Sequence, residues 1–372
     1  MKRMGIALAA LLALALVSFP ALAWIRSPAT TFATLPTGAT PPEGLTTGPN
    51  GDVYASTFGF PAKGPTSSPG QVIVFDSQGK LLRQMTLLSG GTGIPDATPH
   101  LLGLAFNPVT HDFLVLDFGA GKVLRVNPLT GAVLAVFADI GAQCSSTPGL
   151  CPVIPPDSPP DTTGTPGLNA LTFDGQGKVY VSDSFQGIIW QIPPGGGTAT
   201  AWVPSHSLLT PSSYPPFGAN GLAFNKAGNA LFVANTANDS VVRIPVSGSV
   251  AGTPAVLAYS INGADGLIID DSDNIWVCAN QSDEIVVVEP VNGKVIAKLG
   301  DFDGIDNKFA ARGLLFPASL VFSGQFVLVT NLVLDTTLFG FPTVDSQWAR
   351  QVMRYTVSKI NRNLPPTHGD DD

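Results

Sequence analysis

The sequence predicts an all-β protein, and three observations support that prediction. The 372 residues include 40 Gly and 33 Pro, and only 12% are charged. Such a composition is typical of short strands separated by tight turns. No long segment carries apolar residues at the spacing of an amphipathic helix. Finally, one strand-turn-strand unit recurs along the chain, and residues 218–235 are a clear example of it.

In that example, Leu222–Phe224 and Leu231–Val233 are the two predicted strands, joined by a turn at Ala227–Asn229. Six copies of the unit occur, and each is followed by further strand-like residues. The first residues of successive copies are 45 to 67 positions apart. A four-stranded repeat of about this period predicts a six-bladed β-propeller. The six equivalent first residues are Glu43, Leu102, Asn169, Asn220, Asp265 and Ala318.

The chain ends are expected to close the ring. Residues Thr30–Leu35 resemble a strand but have no hairpin partner nearby, and the sixth repeat contains only three visible strands. If Thr30–Leu35 supplies the missing strand, the N-terminal strand joins the last blade and no long sheet edge is left exposed. We therefore predict a propeller domain over residues 24–360 and a disordered C-terminal tail over residues 361–372.

Residues 1–23 are predicted to be a secretory signal peptide. Lys2 and Arg3 precede an apolar run, Ile6–Phe19, and Ala21–Ala23 forms a small-x-small cleavage site. The apolar run is short for a membrane span, although an uncleaved anchor is the alternative. No comparably long apolar run follows it. We expect a periplasmic or secreted protein without stable membrane insertion, mature from about Trp24.

Charge and cysteine content restrict the partners and the compartment. The net charge is −8 and becomes −10 without residues 1–23; no stripe of Lys and Arg is present, so nucleic acid is not an expected partner. Cys144 and Cys151 lie in a Pro-rich loop, and export would permit a disulfide between them. Cys278 is expected to be a buried apolar side chain rather than a reactive thiol.

The first position of each repeat carries the candidate chemistry. It begins the innermost strand, so its six side chains are expected to enter the central channel at one end. Four of the six contain a side-chain oxygen, and no His or Cys occurs among them. Asn and Asp are common turn residues, but a shared repeat position favours a binding role. Such hard oxygen ligands suit Ca²⁺, or another hard divalent cation, better than Zn²⁺. The predicted metal ligands are Glu43, Asn169, Asn220 and Asp265.

The order of these residues resembles that in the six-bladed propeller hydrolases of the senescence-marker-protein/gluconolactonase family, whose relatives include lactonases. The matching motifs are Glu43-Gly44, Asn169, Asn220-Gly221 and Asp265-Gly266, and the resemblance extends from about residue 40 to 358. It implies a Ca²⁺ ion that acts as a Lewis acid, with Asp265 as nucleophile or general base. It also implies that Asn169 contacts both the metal and the substrate.

The chain departs from the family pattern at three positions, and these leave the substrate class open. Ala170 follows Asn169 in place of the usual Asp or Gly. In the sixth repeat, Ala318 and Val321 stand where relatives carry Ser or Thr and, in some members, His. His100, just before the second repeat, is a candidate substrate contact, although an ordinary loop histidine is the alternative reading.

Three long insertions are expected on one face of the ring. They cover residues 58–70, 141–166 and 331–350. Their apolar side chains would either pack on one another or form an apolar rim over a central pocket. These residues are Phe58, Phe60, Leu332, Leu334, Leu338, Phe339, Phe341 and Trp348.

The leading hypothesis from sequence is an exported Ca²⁺-dependent hydrolase of lactones or esters that acts on a small molecule, which is apolar if the insertions form a rim over the pocket. The main alternative is a non-catalytic propeller of the NHL type, which would bind a protein, a peptide or a glycan. A lyase or a strictosidine-synthase-like enzyme is a third alternative, but such enzymes generally lack the four-residue oxygen set.

Overall fold

The computed structural model describes residues 27–58, 70–87, 100–153, 164–340 and 342–364. The expected signal peptide, residues 1–23, lies outside this part of the chain, as do residues 365–372 of the expected tail. Within the described ranges, no helix is long and apolar enough to cross a membrane.

Within the described residues, the structure contains twenty-seven strands. Blades one to three contain β2 (Pro42–Thr47), β3 (Val53–Thr57), β4 (Gln71–Phe75), β5 (Leu81–Thr86), β6 (Leu101–Phe106), β7 (Phe113–Asp117), β8 (Lys122–Val126), β9 (Val133–Asp139), β10 (Leu168–Phe173), β11 (Val179–Asp183), β12 (Ile188–Ile192) and β13 (Thr200–Val203). Blades four to six contain β14 (Ala219–Phe224), β15 (Ala230–Asn235), β16 (Ser240–Ser247), β17 (Val250–Ala251), β18 (Ala255–Tyr259), β19 (Ala264–Ile269), β20 (Ile275–Ala279), β21 (Glu284–Val288), β22 (Val295–Leu299), β25 (Pro317–Ser323), β26 (Phe326–Asn331), β27 (Thr356–Asn361) and β1 (Thr30–Thr34).

The predicted six-bladed propeller and its closure are confirmed. Consecutive strands pair antiparallel in each blade, and β16 of blade four is long enough to pair with both β17 and β18. The order in blade six is β1-β27-β26-β25, so the N-terminal strand completes the last blade. Its register places Thr30 opposite Lys359 and Thr34 opposite Thr356.

The apolar core is divided among the six junctions between blades. Each junction contains a cluster of buried side chains drawn from the two adjoining blades. At the junction of blades six and one, Leu35 and Val357 pack with Val53 and Ile73. Because no blade buries its faces alone, the ring must be complete for any blade to be covered on both sides.

The connections between the blade strands contain regular structure that the sequence did not predict. Helix α1 (Ile140–Ser146) follows blade two, and its Cys144 forms a disulfide with Cys151, with 5.3 Å between the Cα atoms. The hairpin of β23 (Phe302–Ile305) and β24 (Ala311–Gly313) lies between blades five and six in sequence. The connection from β26 to β27 contains a 3-10 helix (Thr336–Phe339) and helix α2 (Val344–Ala349).

Candidate metal centre

Every innermost strand is irregular at the same place. In blade five the pairing register shifts between Ala264 and Leu267, and in blade one between Pro42 and Leu45. The other four blades shift at the equivalent position. In each blade, the residue immediately after the pair that precedes the shift is the first residue of the sequence repeat; in blade five this is Asp265, which follows Ala264. Such irregularities re-aim side chains out of the pleated sheet, and here they recur around the channel.

The glycine that follows three of the predicted ligands has a structural reason. A Cβ atom on Gly221 would lie 2.3 Å from the backbone nitrogen of Leu267, and one on Gly266 would lie 2.4 Å from the carbonyl oxygen of Ala318. Glycine therefore lets neighbouring innermost strands approach closely around the channel. This close approach brings ligands of adjacent blades towards one another.

The structure brings all four predicted metal ligands to one cavity. Glu43, Asn169, Asn220 and Asp265 are each 4% exposed, and each lines a cavity of about 40 Å³ at one end of the channel. A space of this size holds a metal ion and a few waters. The other lining residues are Phe58, Leu102, Pro215, Phe217, Thr236, Asn280, Phe316, Leu332 and Leu334.

Three buried side-chain oxygens of these ligands have no hydrogen-bond partner. They are Oε2 of Glu43, Oδ1 of Asn169 and Oδ1 of Asp265. Buried polar atoms are nearly always hydrogen-bonded, and leaving one unpaired costs about 1–3 kcal/mol. Three unpaired acceptors from three different blades therefore fit a cation as the common partner, and hard oxygens are the donors that Ca²⁺ and Mg²⁺ prefer.

The nitrogens of the ligand amides are held by residues that sequence reasoning missed. Nδ2 of Asn169 donates to Oγ of Ser184 at 3.1 Å, and Nδ2 of Asn220 donates to Oγ1 of Thr236 at 3.0 Å. Each hydroxyl in turn donates to a backbone carbonyl of the next blade. Because each nitrogen is engaged in this way, the amide orientation is fixed and the oxygen of Asn169 remains free for a ligand.

Asn280 orients the carboxylate of Asp265. Its Nδ2 donates to Oδ2 of Asp265 at 3.0 Å, which leaves Oδ1 of Asp265 as the unpaired atom. Space for the Asn280 amide exists because residue 263 is glycine; a Cβ atom there would lie 1.8 Å from Oδ1 of Asn280. In the sequence, the signal for Ser184, Thr236 and Asn280 is a polar residue immediately after the second strand of blades three, four and five.

Burial dominates the electrostatics of the cavity. It raises the pKa of Glu43 well above its ordinary value, and the nearby charge of Asp265 raises it further. Burial also raises the pKa of Asp265, while the hydrogen bond from Asn280 lowers it. Two buried carboxylates at one site are costly without a compensating positive charge, which a divalent cation supplies.

The composition of the site is dominated by oxygen. In the part of the chain that the structure describes, no group of three or more His, Cys, Asp or Glu side chains is placed to hold a metal. The cavity instead combines two carboxylates with neutral amides, a set of ligands that suits a hard cation. Cys278 is buried, as predicted, and burial raises the pKa of its thiol, so it stays neutral.

Both interpretations of the insertion residues hold for three of them, which pack on one another and also line the cavity. Phe58, Leu332 and Leu334 line the cavity. Trp348 packs elsewhere, with its ring 5.6 Å from that of Phe302. Phe60, Phe341 and the side chains of Leu338 and Phe339 lie outside the described part of the structure.

His100 lies behind this rim. The centroid of its ring is 6.1 Å from that of Phe58, and it is not one of the described residues that line the cavity. Its contact with substrate stays a prediction.

Asp283 is a buried carboxyl group beside the mouth. Its Oδ1 accepts a hydrogen bond of 2.7 Å from the backbone N–H of Phe316, a lining residue. Burial, followed by the charge of Asp345, raises its pKa to about 8. The unfolded chain loses this proton near its ordinary pKa of about 3.9, whereas the folded protein keeps it to about pH 8. The free energy of unfolding therefore falls as pH rises between these values.

Asp283→Asn should remove this penalty. Asn keeps the acceptor oxygen and tolerates the positive φ of 52° at this position. We expect the melting temperature to rise by about 3 °C or more at pH 8 and to change little at pH 4, as measured by thermal unfolding at both values. The matched control is Asp273→Asn, because Asp273 has a φ of 64° and also accepts from a backbone N–H. Equal gains in the two variants at pH 8 would contradict the prediction.

Comparisons with known proteins agree with this geometry. Residues 167–300 match the model of the SMP-30/Gluconolactonase/LRE-like region. This range contains Asn169, Asn220 and Asp265 with their partners Ser184, Thr236 and Asn280, whereas Glu43 lies outside it. No curated protein sequence matches the chain.

Solved structures share the fold at low sequence identity. A luciferin-regenerating enzyme superposes with a TM-score of 0.60 at 12% identity, covering 90% of this chain and 95% of that one. A calcium-binding protein, regucalcin, from Agrobacterium tumefaciens gives 0.57 at 15%, covering 92% and 97%. A gluconolactonase from Xanthomonas campestris gives 0.52 at 13%, covering 90% and 98%. The resemblance predicted from the sequence is thus confirmed: this six-bladed β-propeller carries an SMP-30/gluconolactonase/LRE-like region over residues 167–300.

Proposed function

We propose that this protein is an exported, Ca²⁺-dependent hydrolase of lactones or esters. One observation carries the proposal: three buried oxygens without a partner, from blades one, three and five, line a single cavity. The match of residues 167–300 to the gluconolactonase-type region supports the reaction class. The shared fold with a calcium-binding regucalcin supports the choice of cation.

Glu43, Asn169, Asn220 and Asp265 would hold the cation, which supplies Lewis-acid polarisation of a carbonyl oxygen when bound. The residues of the chain provide the remaining functions. Asn280 fixes Oδ2 of Asp265, so Oδ1 is the atom that would take a proton from the attacking water or attack the acyl carbon itself. Phe58, Leu332 and Leu334 keep bulk water from the reacting groups.

Export is part of the same proposal. Residues 1–23 would direct the chain to the periplasm or the exterior, where the mature protein begins at about Trp24. The Cys144–Cys151 disulfide supports this assignment, because such bonds persist in oxidising compartments.

The proposal is tested by metal content, stability and turnover of the purified protein. We expect one Ca²⁺ per chain and a melting temperature that rises by at least about 3 °C with saturating Ca²⁺ and falls with EDTA. We also expect the protein to hydrolyse at least one member of a panel of lactones and esters, with hydrolysis measured by the release of acid. The non-catalytic NHL-type alternative predicts no hydrolysis, and without a metal it predicts no effect of EDTA. Protein with neither bound metal nor hydrolysis would overturn the proposal.

A further inference from the structure

A second ring of six side chains lies next to the ring of metal ligands. We call it the upper ring; each member immediately follows the second strand of its blade. In every blade its backbone N–H donates to the carbonyl two residues before the channel residue, at 2.8 to 3.2 Å. The six positions are therefore geometrically equivalent. The upper ring consists of Phe58, Phe118, Ser184, Thr236, Asn280 and Leu332.

The two rings divide the mouth into a polar sector and an apolar sector. In blades three, four and five, both rings are polar: Asn169, Asn220 and Asp265 are each hydrogen-bonded to the upper-ring residue of their own blade. In blades six, one and two, five of the six side chains are apolar, and Glu43 is the exception. Since these three blades are adjacent, the apolar side chains form one continuous wall. They are Ala318, Leu332, Phe58, Leu102 and Phe118.

The apolar sector is packed and extends outward. Phe58, Leu102 and Leu332 cluster with Phe316 and Leu334. The ring of Phe118 lies 5.8 Å from that of Phe58, and on its other side 6.3 Å from that of Phe217. The aromatic rings thus extend from Phe58 in blade one to Phe217, which lines the cavity and precedes the first strand of blade four.

This arrangement selects between two kinds of lactone. A substrate with hydroxyl groups on its ring would place them against a wall whose side chains offer neither donors nor acceptors, and desolvated hydroxyls without partners are costly. An alkyl or aryl substituent would instead gain apolar contact there. The polar sector supplies two of the three unpaired ligand oxygens, those of Asn169 and Asp265, so an ester carbonyl would meet the bound cation on that side.

We propose that the substrates are lactones or esters with an alkyl or aryl substituent, which lies against the apolar sector while the ester group faces the polar sector. This inference rests on the proposed hydrolase function. It assigns Phe58 and Leu332, which line the cavity, as specificity-determining residues.

The first test compares substrates. For a series of γ-lactones with lengthening alkyl chains, we expect kcat/KM to rise on the order of threefold per methylene until the wall is covered. A polyhydroxylated sugar lactone should be hydrolysed more slowly than the unsubstituted ring. Faster hydrolysis of the sugar lactone than of every alkyl lactone would support the hydrolase function and overturn the present inference.

The second test measures binding without turnover. Calorimetry on the Ca²⁺-loaded protein compares octanoate with gluconate, a polyhydroxylated carboxylate. We expect octanoate to bind at least about tenfold more tightly, because only its chain matches the wall. Equal or tighter binding of gluconate, or no binding of octanoate, would overturn the inference. If octanoate binds but no lactone is hydrolysed, the proposed reaction fails while the ligand class stands.

A matched pair of variants in blade six locates the effect. Leu332→Ser should remove most of the preference for octanoate over gluconate. Val321→Ser is the control, because Val321 is on the innermost strand of the same blade but lines the opposite mouth of the channel. Loss of the preference in both variants, or in neither, would contradict the assignment of the apolar sector.

Discussion

Asp265→Asn should lower kcat/KM for the best lactone by at least about a hundredfold. Oδ1 of Asp265 is buried without a hydrogen-bond partner, and the neutral amide neither attacks an acyl carbon nor takes a proton from water. The substitution should also reduce the stabilisation by Ca²⁺, since one of two negative ligands is lost. Steady-state kinetics and thermal unfolding with and without Ca²⁺ measure the two effects.

A parallel variant and a control make this result specific. Glu43→Gln should lower the affinity for Ca²⁺ strongly, since Glu43 supplies the second carboxylate of the cavity. Asp271→Asn should leave activity and Ca²⁺ stabilisation unchanged, because the side chain of Asp271 is 84% exposed in a surface turn. Full activity in both the Asp265 and Glu43 variants would exclude the proposed site.

Deletion of residues 27–36 should lower the melting temperature by at least about 5 °C. The deletion removes β1, which pairs with β27, and it removes Leu35 and Ala33 from the junction of blades six and one. It also leaves β27 as an exposed edge, which favours aggregation. Thermal unfolding and size-exclusion chromatography measure the two consequences.

Point variants distinguish the loss of core packing from the loss of the strand itself. Leu35 is 1% exposed, so Leu35→Ala should cost about 2–5 kcal/mol and lower the melting temperature part of the way. Thr31→Ala should have little effect, because that side chain of β1 faces solvent. An unchanged melting temperature in the deletion would show that the ring does not depend on this strand.

The sequence predicted those features that repeat. Leu222, Phe224 and their equivalents identify the blades because each blade faces the same packing problem, and so the same residue types recur. The four oxygen ligands were found in the same way, as differences at one repeated position. Closure by β1 followed from counting strands, because the sixth repeat lacked its fourth strand and the N-terminal strand had no partner of its own.

Features that depend on one blade alone were not predictable from the repeat. Asn280 acts through its amide on Asp265, and its place depends on the missing side chain of Gly263. Helix α1 lies in a Pro-rich insertion without a helical pattern, and it is held by Cys144 and by Ile140 in the core beneath. In both cases tertiary contacts, rather than local sequence, determine the conformation.

The contact between Thr330 and Glu43 has a consequence for biosynthesis. The hydroxyl of Thr330, in the last blade, donates at 2.7 Å to the backbone carbonyl of Glu43, in the first, across 287 residues of sequence. A nascent chain that has completed blades one to five therefore contains all four ligand residues, but Glu43 still lacks the hydrogen bond from Thr330. We expect Ca²⁺ to bind only after blade six has emerged, so that cation binding completes maturation and does not direct the folding of the ring.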